Sequence, residues 1–414
     1  MSIKPTVLLT GGRAPVALHL ARLFKQAGWR VLAAESMAYP LLSFSNAVER
    51  CFSLPGPNQD ENGFIQGLVS LIQEYEVDWL IPTCEETFFI SKHYRRLSSY
   101  CRVLVGEWDI LQRFHHKGNF IADLQQAGEW VPKTTVIRHP QEWRRQVQNI
   151  PFPAILKPVY SRFGTQVRFL NKPSDEPPVS LKRGWVLQKR IAGSQICAYG
   201  VSQRGRLTAY SCYHLQFAAG IGSAITFCHA EEPEVFAWVK RFVKRHRYTG
   251  QISFDFIRST EDGRLYPLEC NPRTTSGVHL FTGEDLVQAM VGDPPFAIVT
   301  PDPRTKTMLA LPFALYGWKK GNLRAWLTTF VTHRDVIFDW NDPKPFFGQA
   351  QSLRHLWKEA RKQGVPLLQF TTRDIEWEGG ETDGTGDGGD RISRTSLGTS
   401  SAPLGAGSNR IGAK

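Results

Sequence analysis

Two short stretches say most about the fold of this chain: Asp255-Phe256-Ile257 and Pro267-Leu268-Glu269-Cys270-Asn271-Pro272-Arg273. Both are typical of neighbouring strands, and side chains two positions apart on a strand point to the same face. Glu269, Asn271 and Arg273 are therefore expected to line one surface, which Asp255 reaches from the preceding strand. Carboxylate and amide oxygens are ligands of the hard cations that accompany nucleotide polyphosphates. The pattern favours a cation site over a surface salt-bridge cluster, because Pro272 ends the strand rigidly.

The composition is that of a globular protein with an excess of positive charge. The 414 residues include 42% hydrophobic and 21% charged residues, and the formal net charge is +12. Such a charge attracts anions, but the sequence contains no dense Lys/Arg block with interleaved aromatic residues. We interpret the excess as a basic, solvated surface and expect neither a nucleic-acid nor a membrane partner.

The cysteines and the apolar runs favour a reducing compartment. The seven cysteines are widely spaced and form no Cys-x-x-Cys pair, which is typical of buried free thiols in a reducing environment. The N-terminus begins with a strand-like run rather than a charged leader. The longest nearly apolar run, residues 308–318, is too short to span a bilayer. A cytoplasmic location is expected.

Residues 1–110 alternate strands and helices, which predicts an α/β domain with a doubly wound parallel sheet. Its strands are expected at 6–10, 30–34, 78–82 and 102–105, and its helices at 15–27, 64–75 and 85–97. Residues 111–283 predict an α+β region of antiparallel character. Its helices are expected at 111–124, 142–147 and 233–247, and its other strands at 154–157, 166–169, 185–190, 196–202 and 207–214.

Two regions follow without recognisable chemistry. Residues 284–377 contain helical runs at 286–290, 323–331 and 353–362 and form an α-rich region to which the sequence assigns no role. Residues 378–414 are rich in Gly, Ser, Thr and Asp and have no apolar period. Such a segment buries too little surface to offset its ordering entropy, so a disordered tail is expected.

Three further segments carry candidate chemistry. The turn Thr10-Gly11-Gly12-Arg13 lacks the Gly-x-Gly-x-x-Gly spacing, which favours a tight strand-to-helix turn over a dinucleotide site. The segment from Lys157 to Thr165 is typical of a flexible lid over phosphates, or of an ordinary hairpin loop. The segment Gln188-Lys189-Arg190-Ile191 precedes a kink at Gly193, where exposed backbone groups can bind an adenine edge. A bulged strand is the alternative for that segment.

Taken in order, these segments resemble the ATP-grasp superfamily over residues 1–283. The similarity is strongest to its carbamoyl-phosphate-synthase-like and biotin-carboxylase-like branch, which carries a segment similar to residues 81–86. The resemblance implies a pre-ATP-grasp Rossmann-like domain at 1–110, followed at 111–283 by an ATP-grasp fold of two α+β subdomains.

The resemblance also implies a role for individual residues. Lys117 and Lys157 match the ATP-binding lysines, and Ser161 and Gly164 belong to the phosphate lid. Gln188, Lys189 and Ile191 match the adenine-binding hinge. Gln195 stands where many members bind ribose with a glutamate. Asp255, Glu269 and Asn271 match the ligands of Mg²⁺ (or Mn²⁺), and Arg273 matches the arginine that stabilises phosphate and intermediate, so Lys157 and Arg273 are the expected catalytic residues.

The activity that the resemblance implies is ATP-dependent ligation. A carboxylate would attack the γ-phosphorus of ATP to give an acyl phosphate, and an amine or a thiol would displace the phosphate. The expected partners are therefore a small-molecule carboxylate and an amine, and a homodimer is left open. Candidate substrate contacts are Arg13, Glu85, Glu86, Arg162, His279 and the loop at 219–223.

Two other functions compete with ligation. The first is an ATP-binding sensor or scaffold of the same fold that does not turn over. The second is a nicotinamide-dependent oxidoreductase built on the N-terminal sheet, which the missing glycine fingerprint disfavours.

Overall fold

Alternating apolar residues of the N-terminal strands build a sheet with a core on each face. The computed structural model describes residues 4–162, 166–174, 177, 184–219, 223–293, 297–317 and 323–379. Five parallel strands pair in the order β3-β2-β1-β4-β5, namely β1 (Thr6–Thr10), β2 (Arg30–Glu35), β3 (Arg50–Ser53), β4 (Trp79–Ile81) and β5 (Arg102–Val103). The surrounding helices are α1 (Pro15–Gln26), α2 (Glu61–Glu74), α3 (Glu86–Lys92) and α4 (Tyr94–Leu97). Leu8 shares a core with α2 and α3, while Val7 and Leu9 share the opposite core with α1. The predicted doubly wound sheet is confirmed.

A smaller antiparallel sheet forms the first part of the α+β region. Its strands pair in the order β6-β9-β7-β8, which are β6 (Thr134–Ile137), β7 (Ala154–Pro158), β8 (Arg168–Leu170) and β9 (Trp185–Lys189). Helix α7 (Trp143–Asn149) closes it, since Trp143 is buried against Leu156 and Leu187. This sheet places Lys157 and the hinge segment on adjacent strands.

A second antiparallel sheet carries the residues with which the sequence analysis began. Its order is β11-β10-β15-β16, which are β10 (Gly193–Gln203), β11 (Arg206–His214), β15 (Gly250–Ser259) and β16 (Leu265–Asn271). Phe254 and Phe256 pack on one face against Trp238 and Phe242 of α8 (Pro233–Arg245), and helices α5 (Trp108–His115) and α6 (Lys117–Gln126) extend that core. Asp255 alternates with these phenylalanines and therefore lies on the opposite face. The two α+β subdomains are as predicted.

The remaining elements follow in the C-terminal part of the chain. They are the hairpin β12 (Ala218–Ala219) and β13 (Ser223–Ala224), the sheet β14 (Thr226–Cys228), β17 (Lys306–Met308) and β18 (Arg334–Asp335), and the helices α9 (Asp285–Val291), α10 (Ala310–Tyr316), α11 (Leu323–Thr332), α12 (Lys344–Lys362) and α13 (Leu367–Phe370). Residues 371–378, which we name the C-terminal strap, then return to the N-terminal part of the molecule. No helix within the described ranges combines the length and the hydropathy needed to cross a membrane.

Two predicted helices are each divided in the structure. The helix expected at 111–124 breaks at His116, whose ψ of 106° is extended and whose Nδ1 accepts the backbone N–H of Asn119 at 3.1 Å. A helix N-terminus needs such a cap, and the periodicity of the apolar residues does not reveal it. The helix expected at 85–97 is likewise interrupted at His93, and strand β3 was missed. The break at His116 makes Lys117 the first residue of α6.

Several predictions fall outside the described residues. They concern Gly164, the centre of the loop at 219–223 and the tail from residue 380 onward. The seven cysteines are free thiols, as expected, but only Cys197, Cys212 and Cys270 are buried and the other four are half-buried.

Candidate active site

Two carboxylates face each other across strands β15 and β16. Asp255 is the antiparallel partner of Glu269, and Asn271 lies two pairs further along, opposite Ser253. The Nδ2 atom of Asn271 is 3.5 Å from Oε1 of Glu269. The pairing therefore brings the three predicted cation ligands onto one face, as their spacing indicated.

The two facing carboxylates titrate in opposite directions. Burial and the nearby charge of Glu269 raise the pKa of Asp255 to about 8. Burial by itself raises the pKa of Glu269 as well, but the positive charges of Lys117 and Lys157 outweigh it and lower that pKa to about 2. Burial and mutual repulsion thus oppose full ionisation of the pair, and the two lysines favour Glu269 as its ionised member.

Two buried lysines lie beside this pair. The Nζ atom of Lys117 is 3.6 Å from Oε2 of Glu269, and it donates to the carbonyl oxygen of Ser161 at 3.3 Å. Lys157 of strand β7 is buried close enough to Glu269 and Asp255 for their charges to act on it. Burial lowers its pKa to about 8, an effect that Lys117 reinforces and Glu269 opposes. Two cations next to two acids make a site with a strong local field and no large net charge.

The predicted lid is described only at its ends. Ser161 is described at one end. Residues 163–165, which include Gly164, lie outside the described residues, and the description resumes at residue 166, before β8. Strands β7 and β8 are antiparallel neighbours, with Leu156 opposite Arg168. The ends of the predicted lid are thereby anchored next to Lys157.

The hinge segment, residues 188–191, contains a buried side chain with an internal partner and a residue whose backbone groups are unpaired among the described residues. Gln188 is 1% exposed, and its Nε2 donates to Oγ1 of Thr134 at 2.9 Å, so its side chain is directed into the small sheet. The Nζ atom of Lys189 is 3.6 Å from Oε2 of Glu261. Among the described residues, the backbone N–H and C=O of the buried Ile191 take part in no hydrogen bond. A buried donor and acceptor without a protein partner are available to a ligand.

Gln195 lies on the same face as the carboxylates. It pairs with Ile257 on β15, and Cys197, two residues further, pairs with Asp255. Its side chain is half-buried. The predicted ribose contact is thus positioned between the hinge and the cation ligands.

Arg273 connects the cation ligands to the N-terminal sheet. Its Nη2 donates to Oδ1 of Asn271 at 3.4 Å, and its Nε is 3.9 Å from Oε1 of Glu85. Glu85 also accepts from Nε of Arg162 at 2.6 Å. Burial raises the pKa of Glu85, but Arg162, His115 and Arg273 outweigh it and lower that pKa to about 2. Glu85 is therefore an ionised bridge between two arginines.

Three other candidate substrate contacts belong to the internal framework. Glu86 accepts the hydroxyl of Thr10 at 2.7 Å and the backbone N–H of Thr83 at 3.0 Å. His279 is 1% exposed and packs edge-on against the ring of His19. These contacts hold the strand ends in place and leave neither side chain at the cleft surface.

Arg13, the third of these, ties the N-terminal sheet to the C-terminal strap. Its guanidinium bonds to Glu35 and donates from Nη1 to Oδ1 of Asp374 at 2.6 Å. Ser36 donates its hydroxyl to Oδ2 of Asp374 at 2.6 Å. The carboxyl edge of this sheet, where ligands bind in open α/β sheets, is thus covered in part by the chain itself.

The strap is the part of the site that the sequence analysis missed. The carbonyl oxygen of Trp377 accepts from Nη2 of Arg162 at 3.1 Å, and Oε2 of Glu376 is 3.4 Å from Nη1 of that arginine. Trp377 is 7% exposed and packs against Phe88 at a ring distance of 5.2 Å. The only signal was the alternation Asp374-Ile375-Glu376-Trp377-Glu378 immediately before the glycine-rich tail.

The donor set fits a cation that arrives with phosphates. The described residues contain no group of three or more His, Cys, Asp or Glu side chains able to hold a metal. Two carboxylates and one amide oxygen leave most coordination positions open. Mg²⁺ is typically bound in this way, through one or two carboxylates together with substrate phosphates and water.

No protein-family model and no curated protein matches the chain. Solved structures match it at low sequence identity. N5-carboxyaminoimidazole synthetase from Staphylococcus aureus, complexed with ADP, has a TM-score of 0.60 and 12% identity over 77% of this chain and 87% of its own. The biotin carboxylase domain of 2-oxoglutarate carboxylase from Hydrogenobacter thermophilus, with MgADP, ADP and bicarbonate, has a TM-score of 0.56 and 15% identity over 70% of each chain. The L-amino acid ligase from Bacillus licheniformis has a TM-score of 0.53 and 17% identity over 71% of this chain and 75% of its own.

These structural neighbours are ATP-grasp enzymes, and the present chain has the ATP-grasp fold. The family resemblance carried by Glu269, Asn271 and Arg273 is confirmed at the level of the fold.

Proposed function

We propose that the chain is an ATP- and Mg²⁺-dependent ligase that activates a carboxylate as an acyl phosphate and joins it to an amine or a thiol. The observation that carries the proposal is the convergence of Asp255 and Glu269 with Lys117 at one cleft of an ATP-grasp fold. The domain boundaries at residues 110 and 283 are part of the same proposal.

Asp255, Glu269 and Asn271 would hold Mg²⁺ (or Mn²⁺). The bound cation would offset the charge of the phosphates during phosphoryl transfer. A cation between the two carboxylates would also offset the repulsion that, together with burial, raises the pKa of Asp255.

The nucleotide would lie between the hinge and the cation site. The free backbone groups of Ile191 support an adenine site there, with Gln188 and Lys189 shaping the hinge and Gln195 beside the ribose. Lys117 and Lys157 would neutralise the phosphates. The carbonyl of Ser161, held by Lys117, fixes one end of the lid that contains Gly164 and would exclude water.

The carboxylate substrate would bind at the arginine end of the cleft. Arg273 extends from the cation ligands toward Glu85 and would stabilise the developing oxyanion. Glu85 and Arg162 would orient Arg273, because the shared carboxylate fixes both guanidinium groups.

The proposal is tested by calorimetry and by phosphate release. We expect Mg²⁺-dependent binding of ATP, and release of phosphate in the presence of one carboxylate together with one amine or thiol from a broad panel. Tight ATP binding without release across the panel would favour the sensor or scaffold function. Absence of Mg²⁺-dependent nucleotide binding would refute both.

A further inference from the structure

Helices α10 and α11 pack on each other through one set of apolar side chains and expose another. Phe313 of α10 is buried against Trp326 and Phe330 of α11, with ring distances of 6.4 and 5.0 Å. This contact accounts for the inner apolar residues of both helices. The contact does not account for the outer apolar residues of the two helices, which are exposed.

The outer residues of α11 form a stripe. Leu323, Leu327 and Val331 recur every four positions, so they follow one side of the helix. Their exposed fractions are 65%, 51% and 87%. Helix α10 adds Leu311, which is also exposed. Isolated surface leucines need no explanation, but an apolar stripe of this kind marks a docking surface.

The charges around the stripe have a single sign. Residues 303–334 contain no Asp or Glu, and their basic residues are Arg304, Lys306, Lys319, Lys320, Arg324 and Arg334. Lys306 and Arg324 are exposed and form no ion pair with the described residues. Arg334 lies on the opposite face of the β14-β17-β18 sheet, where burial and the charge of Arg334 lower the pKa of His19 and His279. The surface therefore combines aliphatic groups with uncompensated positive charge.

The two flanking acids do not neutralise that charge. Oδ1 of Asp335 accepts the backbone N–H of Ala310 at 2.9 Å, and Oδ2 accepts that of Phe338 at 2.8 Å. Asp302 is paired with Arg304 at 2.7 Å. The carboxylate of Asp335 thus accepts a hydrogen bond at the start of α10, and that of Asp302 is paired within its own turn.

We infer that the α10–α11 face, defined by Leu311, Leu323, Leu327 and Val331 with Lys306 and Arg324, docks on the surface of an anionic lipid bilayer. Apolar side chains enter the headgroup region while basic side chains meet lipid phosphates, which is how interfacial helices bind. A second copy of this chain is disfavoured as the occupant, because like charges would meet across the interface. This surface departs from the expectation of no membrane partner and does not depend on the proposed ligase activity.

The test uses the full chain and sedimentation with vesicles. One set of vesicles contains phosphatidylcholine alone, and in the other about a third of the lipid is phosphatidylglycerol. We expect binding to the anionic vesicles that weakens with salt, and little binding to the neutral ones. The triple variant Leu323→Ser, Leu327→Ser, Val331→Ser should lower the partition coefficient about tenfold or more. The double variant Lys306→Gln, Arg324→Gln should also lower it and flatten the salt dependence.

A matched control is the pair Tyr94→Ser and Tyr100→Ser, which removes exposed aromatic surface from the N-terminal region and should leave binding unchanged. The thermal midpoints of all variants should stay close to that of the parent chain, because the altered side chains are exposed. Equal binding to neutral vesicles, no vesicle binding, or an unchanged partition of the apolar triple variant would each overturn the inference. A dimer that the triple variant dissociates in the absence of lipid, or a complex with an acidic protein in place of vesicle binding, would overturn it as well.

Discussion

Asp255 and Glu269 occupy directly opposite positions on two antiparallel strands, so two carboxylates share one small space. Burial and the charge of Glu269 raise the pKa of Asp255, whereas Lys117 and Lys157 outweigh burial and lower the pKa of Glu269. The neighbouring lysines stabilise the ionised member. This relationship connects a pattern of seven residues to the site at which we propose that a cation binds.

Glu269→Ala should abolish Mg²⁺-dependent ATP binding and turnover while the protein remains folded. Loss of one such ligand is expected to lower the rate by about 10²-fold or more. The measurement is calorimetric titration of ATP with and without Mg²⁺, together with phosphate release. Glu234→Gln alters an exposed carboxylate paired with Arg258 and serves as the control, with unchanged binding. Full activity of Glu269→Ala would contradict the proposed mechanism.

Glu85→Gln should destabilise the protein in a pH-dependent way. Arg162 and Arg273 lose their shared carboxylate. The side chains of the Arg162–Glu85 pair are almost completely buried, and breaking a buried pair costs about 3–5 kcal/mol. The pKa of Glu85 is about 2 in the folded state, below its ordinary 4.5. The stabilisation is therefore fully present above about pH 4.5 and is lost as the pH falls toward about 2.

Urea unfolding of the parent chain and of Glu85→Gln across this pH range measures the difference. The difference in the free energy of unfolding between the two proteins should be constant from pH 7 to about pH 5 and should become smaller below that. Glu49→Gln, which breaks an exposed pair with Arg30, should cost about 0–1 kcal/mol at neutral pH. A gap that widens in acid would show that Glu85 is not the ionised bridge.

Trp377→Ala should destabilise the protein by about 3–5 kcal/mol, because a buried indole in contact with Phe88 and Trp108 is removed. Trp340 is 86% exposed, so Trp340→Ala should change the free energy of unfolding little.

Deleting residues 380–414 should leave the thermal midpoint nearly unchanged, whereas deletion from residue 371 onward should lower it strongly. Equal effects of the two deletions would show that the strap does not carry this stability.

Gly11→Ala should be more damaging than Gly28→Ala. Both glycines have positive φ, 75° and 82°, so both substitutions share the cost of a left-handed backbone. A Cβ at Gly11 would lie 2.5 Å from Oγ1 of Thr83, while one at Gly28 would meet nothing within 4 Å. The overlap should add about 1–3 kcal/mol to the loss of unfolding free energy at Gly11. Equal losses in urea unfolding would contradict the packing of this turn.

The local patterns predicted the elements of the fold better than their ends. The runs at residues 6–10 and 207–214 identified strands because alternation and apolar content depend only on neighbours in sequence. The apolar period at 111–124 continued through a cap at His116 that depends on a single hydrogen bond. Strand β3 was missed because Arg50-Cys51-Phe52-Ser53 is short and half exposed.

By itself, the sequence determined the parallel N-terminal sheet, the two α+β subdomains and the cluster of Asp255, Glu269 and Asn271. These features follow from side-chain alternation along single strands and from the residue types that bind cations. That Glu85 bridges Arg162 to Arg273, and that Trp377 packs against Phe88 and Trp108, became visible only in the folded chain. Those contacts join residues far apart along the chain, and their energies depend on burial and distance, which exist only once the sheets and the strap are packed together.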